Sequence, residues 1–165
     1  MPAVIESPVF GEISADGDGT WQAFVEVDGA KIELELSIDT LAGLDGALIE
    51  SLTQQALQVR ELDRQAREAL EQDCDDDDSV VIAYREHLLK HVDSGELEAH
   101  FGEGAWRTSG EAFVKALTLL RIVIYPEQPD GAIAVDYGVE SKLTDHVLCL
   151  AFDIDGEPNA LSIEA

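Results

Sequence analysis

The chain has 165 residues, 35 Asp and Glu against 10 Lys and Arg, and a formal net charge of −25 at pH 7. That length suits one domain, residues 1–165, burying about 70% of its unfolded surface, and a hydrophobic content of 45% excludes a disordered chain. The charge excludes nucleic acid and anionic membrane surfaces as partners, because phosphate contacts need a basic patch.

Acidity runs through both parts of the chain. Residues 1–78 carry 20 acids and 4 bases, and residues 79–165 carry 15 and 6. A field of that sign attracts a cationic partner over long range. A purely compositional reading, solubility in a high-salt host, would leave the charge without a partner. Two cysteines, Cys74 and Cys149, are too few for a disulfide framework and read as reduced thiols of a cytoplasmic protein. The opening MPAVIESPVF lacks a basic segment and a long apolar core, and no stretch approaches 18 apolar residues, so neither a signal peptide nor a membrane span is expected.

In chain order, Phe10 to Ser14 is a short strand and Asp16-Gly-Asp-Gly19 a turn. Trp21 to Val27 and Lys31 to Ile38 form a hairpin around Asp28-Gly29, a dipeptide that tolerates the positive φ angles of a type I′ turn. The turn sets Val25 opposite Ile32, Ala23 opposite Leu34 and Trp21 opposite Leu36, which makes a core face. The other face holds Glu26 opposite Lys31, with Phe24 and Gln22 among Glu33 and Glu35, and is wet and acidic.

The next stretch, Leu44 to Gln72, predicts one long helix. Leu44, Leu48, Leu52, Ala56, Val59, Leu62, Ala66 and Leu70 fall in one stripe. Glu50, Gln54, Gln58, Glu61, Gln65 and Glu68 face water. Asp45 or Thr40 can cap its start, and Asp63 precedes Arg67 by four residues in the better order for an ion pair. At 1.5 Å per residue it would span about 40 Å. Asp73 to Asp78 (DCDDDD) is then a solvated break whose last Asp, or Ser79, caps a helix from Val80 to Val92, stopped near Gly95. A loop with Gly102 and Gly104 follows, and Thr108-Ser-Gly-Glu111 fits a capping box opening a short helix through about Ala116.

The last third is β. Thr118 to Tyr125 is almost continuously apolar, as in a strand buried on both faces. Pro129-Asp-Gly131 is a turn. Ile133, Val135, Tyr137 and Val139 alternate with Ala134, Asp136, Gly138 and Glu140, which predicts a half-exposed strand. His146 to Ile154 is apolar and predicted central, and Leu161 to Glu164, after the Asp155-Gly156 turn, is an edge strand. Hairpin-linked strands around grouped helices predict an α+β fold with a largely antiparallel sheet and two or three helices on one face.

Catalytic signatures are sparse. His87 and His91 share a helix face at a spacing that suits two metal ligands, and His100 could supply a third for a metal-dependent enzyme, but HLLKH lacks the Glu base of HExxH proteases. Their alternative is a set of surface histidines. Asp16 to Thr20 resembles the start of a calcium loop, yet the twelfth position is Val27 where a bidentate acid is needed. Asp73 to Asp78 could hold calcium loosely, and is otherwise a block of solvated, mutually repelling charge. GxSxG, GxGxxG and GxxxxGK[ST] are absent, and carboxylates are too abundant for any pair to be read as an acid/base dyad. No cofactor is therefore expected.

The Phe10-Gly-Glu-Ile13 opening, the strand IELELSID (Ile32 to Asp39), the long Ala/Leu-rich helix and the ending LTDHVLCLAFDIDGEPNALSIE (Leu143 to Glu164) resemble a family of small bacterial proteins of unknown function, found in the company of immunity proteins that neutralise polymorphic toxins. The resemblance implies an α+β fold, a bacterial cytoplasm and protein binding. It includes no catalytic motif, so it implies no functional residue. Together with the charge, it leads to the expectation of a non-enzymatic binding protein for a basic partner. The residues expected to meet that partner are Phe24, Glu33 and Glu35 on the hairpin's wet face, and Asp75, Asp76, Asp77 and Asp78.

Overall fold

The computed structural model describes residues 4–14, 19–39, 45–140 and 142–165. Strands β1 (Val4–Ser7) and β2 (Gly11–Ser14) form a small antiparallel ribbon. Next come β3 (Thr20–Val27) and β4 (Ala30–Ser37), then helices α1 (Gly46–Leu57), α2 (Val59–Asp73), α3 (Val80–His91), α4 (Ser94–Phe101) and α5 (Gly110–Ala116). Strands β5 (Thr118–Ile124), β6 (Ile133–Gly138), β7 (Val147–Phe152) and β8 (Pro158–Glu164) complete the chain. The expected α+β class holds. Six strands run in spatial order β3-β4-β5-β6-β7-β8, and every neighbouring pair is antiparallel except β4 and β5. Those two lie side by side and parallel, so a crossover must join them. The helices are that crossover.

The β3–β4 hairpin has the register its turn predicts. Val27 pairs with Ala30, Val25 with Ile32 and Trp21 with Leu36. Asp28 (φ 53°) and Gly29 (φ 81°) supply the two left-handed residues that a type I′ turn requires. The core lies between one face of the sheet and the helix layer. Leu34, Leu36, Ile122, Ile124, Val135, Tyr137, Leu148 and Leu150 come from the sheet, and Leu52, Leu62, Leu70, Tyr84, Leu88 and Phe113 from the helices; each is buried. Burial of such a side chain contributes about 1.5–3 kcal/mol.

Two helix boundaries differ from expectation. The continuous helix from Leu44 to Gln72 is broken at Gln58, which takes φ −80°, ψ 58° and directs its N–H to Gln55 O. Gln is a good helix former, so local preference does not cause the break. Packing does: strands of six to eight residues reach only about 20–26 Å, and a straight rod of about 40 Å would overrun them. The break keeps Ile49, Leu52 and Ala56 of α1, and Leu62, Ala66 and Leu70 of α2, on the core. Asp45 caps α1, accepting from Ala47 N at 2.9 Å; Leu44 and the other candidate cap, Thr40, fall outside the described residues, as does the Asp16-Gly-Asp turn. Gly95 does not end the helical region. It lies in the first turn of α4, which Asp93 caps by accepting from Gly95 N and Glu96 N. Strand β1 was not foreseen from the sequence.

The middle of the sheet exchanges two expected roles. Strand β6, predicted half-exposed, is buried along its whole length. Strand β7, predicted central and buried throughout, alternates buried with half-buried residues. β6 has β5 and β7 on either side; its outward Ala134 is too short to rise above its neighbours, and Gly138 is covered by Tyr84 of α3 and by Leu120. β7 stands one place from the edge, with Val147, Cys149 and Ala151 on its open side.

Candidate functional site

Helices α1 to α5 lie on the core side, and among the described residues the sheet's other face is open. Across β5, β6, β7 and β8 that face sinks into a trough of about 730 Å³. Its floor is made of short side chains: Ala134, Cys149, Ala151, Ala160 and Ser162. Arg121 and Val123 of β5, with Tyr125 just after it, form one wall. Gln128, Asp130 and Asn159 stand at one end and Asp145 and Glu164 at the other, so four carboxylates and one guanidinium line the trough. The period of two along each strand puts the large apolar residues in the core and leaves the small and polar ones on this side.

A β-bulge aims the guanidinium. The β5–β6 register slips between Leu119, opposite Tyr137, and Arg121, opposite Asp136. The extra residue, Leu120, lets Leu119 and Ile122 both face the core while Arg121 turns to the open side. Arg121 Nη2 lies 3.0 Å from Asp136 Oδ2, its Nε donates to the same oxygen at 3.1 Å, and its Nη1 reaches Glu35 Oε2 at 3.5 Å. Asp136 is 5% exposed. A carboxylate so buried needs its charge and lone pairs met. Besides Arg121 it has the Cys149 thiol, hydrogen-bonded to it, whose pKa is pushed up to about 12 by burial first and by the Asp136 charge second. Cys149 is thus a neutral thiol that donates to Asp136 from the floor. Burial also raises the Tyr125 pKa.

The hairpin residues singled out from the sequence belong to this open face. Glu33 and Glu35 stand on β4, beside Arg121 of β5. Phe24 is 56% exposed, with Lys31 Nζ 4.2 Å from its ring centroid. Asp75, Asp76, Asp77 and Asp78 are exposed but belong to the helix layer, at the α2–α3 junction. Their neighbourhood has a structural role: Asp73 accepts from Ser79 Oγ (2.8 Å) and Val81 N (2.9 Å), and Asp76 from Asp78 N (3.1 Å). The two expected sets of partner-binding residues therefore occupy different surfaces. What the sequence reading missed is the four-strand trough and its Arg121–Asp136 pair, since no local pattern sets residue 121 beside residue 136 and also beside residue 35.

The histidines group in an unforeseen way. The His87 ring centroid lies 4.6 Å from that of His91 and 4.3 Å from that of His146, tilted 43° and 44° to them. His100 instead packs edge-on against Phe101 and lies 3.4 Å from Thr118 Oγ1. Burial, followed by His146 and His91, lowers the His87 pKa, while Asp145 opposes them. Among the described residues, no three His, Cys, Asp or Glu side chains are arranged to hold a metal ion, and no helix is long and apolar enough to cross a membrane. Both cysteines are free thiols.

No known protein family, curated protein or solved structure matches the chain. The trough, with its buried ion pair and acidic ends, is the candidate site on geometry alone. It offers concave shape and negative charge, and its thiol and guanidinium are both occupied by Asp136.

Proposed function

We propose that this protein is an acidic binding protein that receives a basic protein partner on the open face of its sheet. The observation that carries the reading is the trough, a concavity in which four carboxylates outnumber one guanidinium and that guanidinium is held by Asp136 and Glu35. Charge of this sign speeds encounter with a cationic partner and disfavours anionic ones. Phe24, Glu33 and Glu35 extend the surface over β3 and β4. An immunity-type role in a bacterial cytoplasm, covering a basic toxin, agrees with the resemblance in the strands and C-terminal segment. It also agrees with a site whose thiol and guanidinium are both engaged by Asp136.

The test is capture of the partner from the native host followed by association kinetics. The partner should be basic, and its association rate should fall by about tenfold or more between low and physiological salt. Charge reversal at one end of the trough, Asp145→Lys with Glu164→Lys, should slow association further. An acidic partner, or association indifferent to both salt and these substitutions, would overturn the proposal.

A further inference from the structure

The shape of the trough says more about its occupant than charge does. We infer that the element it receives is a single α-helix carrying lysine or arginine on its contacting face; this rests on the reading of the trough as a protein-binding site. The face of the sheet presents no unpaired backbone groups, because those of each interior strand are bonded to its neighbours and those of the edge strand β8 point sideways, in the plane of the sheet. An extended segment laid across it would bury N–H and C=O groups with nothing to meet them. A helix satisfies its own backbone and can lie on a sheet face without that cost. The dimensions agree. Three strands set about 4.8 Å apart make a floor about 10 Å across beside the β5 wall, and a helix with its side chains is about 10–12 Å wide.

The floor also differs from that of an ordinary helix–sheet contact, which is built from Val, Ile and Leu. Here Ala134, Ala151, Ala160 and Ser162 leave space between helix and sheet for long side chains. Lysine and arginine fill such a space with their methylene stems while their charged heads reach the carboxylates at the ends. Asp145 and Glu164 take heads at one end and Asp130 at the other. The helix would complete, on the open side, the layer that α1 to α5 form on the core side.

The experiment uses the full chain and two fluorescent peptides of equal length and charge. One is a helix-forming Lys/Ala/Leu sequence, and the other is the same sequence with two central residues replaced by proline. Anisotropy titrations are run on the wild type and on two charge-neutral variants that fill the floor, Ala160→Trp on an exposed edge position and, independently, Ser162→Trp. The helical peptide should bind at least about tenfold more tightly than its proline counterpart, a difference of about 1.4 kcal/mol, and gain helicity by circular dichroism on binding. Both variants should remove that preference. Equal binding of the two peptides, with loss in the Trp variants, would overturn the helix inference and leave the trough as the site. Binding of both peptides unchanged in the Trp variants would overturn the trough itself, because attraction to a polycation would then need only the net charge.

Discussion

Replacing Arg121 by alanine should destabilise the protein more than replacing Asp136, although the two form one ion pair. The asymmetry follows from exposure, since the Asp136 side chain is 7% exposed and that of Arg121 38%. Removal of the guanidinium leaves a carboxylate enclosed in the sheet, and breaking a buried pair in this way costs about 3–5 kcal/mol. The Cys149 hydrogen bond survives, and water can enter the space that Arg121 leaves, so the low end applies, about 3 kcal/mol. Asp136→Ala leaves a guanidinium that is open to water and keeps Glu35 at 3.5 Å, a situation nearer to a surface pair and costing about 1 kcal/mol. The double variant removes both charges and should cost no more than about 2 kcal/mol, so the coupling between the sites is about 2 kcal/mol. Urea unfolding followed by circular dichroism gives each value, provided the slope with denaturant is unchanged. Losing any base raises the self-repulsion of a chain at −25, so Lys90→Ala, at an exposed position of α3, measures that background. Asp136→Ala costing as much as Arg121→Ala after this correction, or single costs that simply add, would refute the reasoning that Asp136 is the buried member and Arg121 its neutraliser.

Two further outcomes test the site's chemistry. Cys149, with its pKa pushed up to about 12, should react with a thiol reagent at pH 8 at least about thirtyfold more slowly than an unperturbed cysteine; a Cys74→Ser background isolates its rate, and ordinary reactivity would show that the thiol is not enclosed beside Asp136. The His87 pKa is lowered by burial and by its two histidine neighbours, so the unfolded chain binds the proton more readily than the folded one. The stability this group gives is therefore full above about pH 6.5, the unfolded value, and is lost as pH falls through the folded value. Melting temperatures from pH 7.5 to 5 should fall more for the wild type than for His87→Gln, and parallel curves would show that folding does not weaken proton binding at His87.

Much of the architecture is legible in the residues themselves. Asp28-Gly29 determines the hairpin register because only a turn of that hand fits the strand twist, and the wet face with Phe24, Glu33 and Glu35 follows from it. The apolar stripe around Leu52, Leu62 and Leu70 reports the core face of the helices, and the absence of familiar catalytic motifs can be read directly. Other features depend on contacts between distant residues. Gln58 breaks a helix that its own preference would continue, because the sheet beneath is shorter than the rod. β6 is buried and β7 half-open because position in the strand order, not alternation of apolar residues, decides what covers a strand. His146 and not His100 joins His87, and Arg121 meets Asp136 and Glu35 only after β4 and β5 pair in parallel across the intervening helices. The sequence by itself determined local geometry and overall charge, which depend on neighbours a few residues away. The trough belongs to the tertiary structure, because a concave face exists only where strands distant in the chain lie side by side with their small residues aligned.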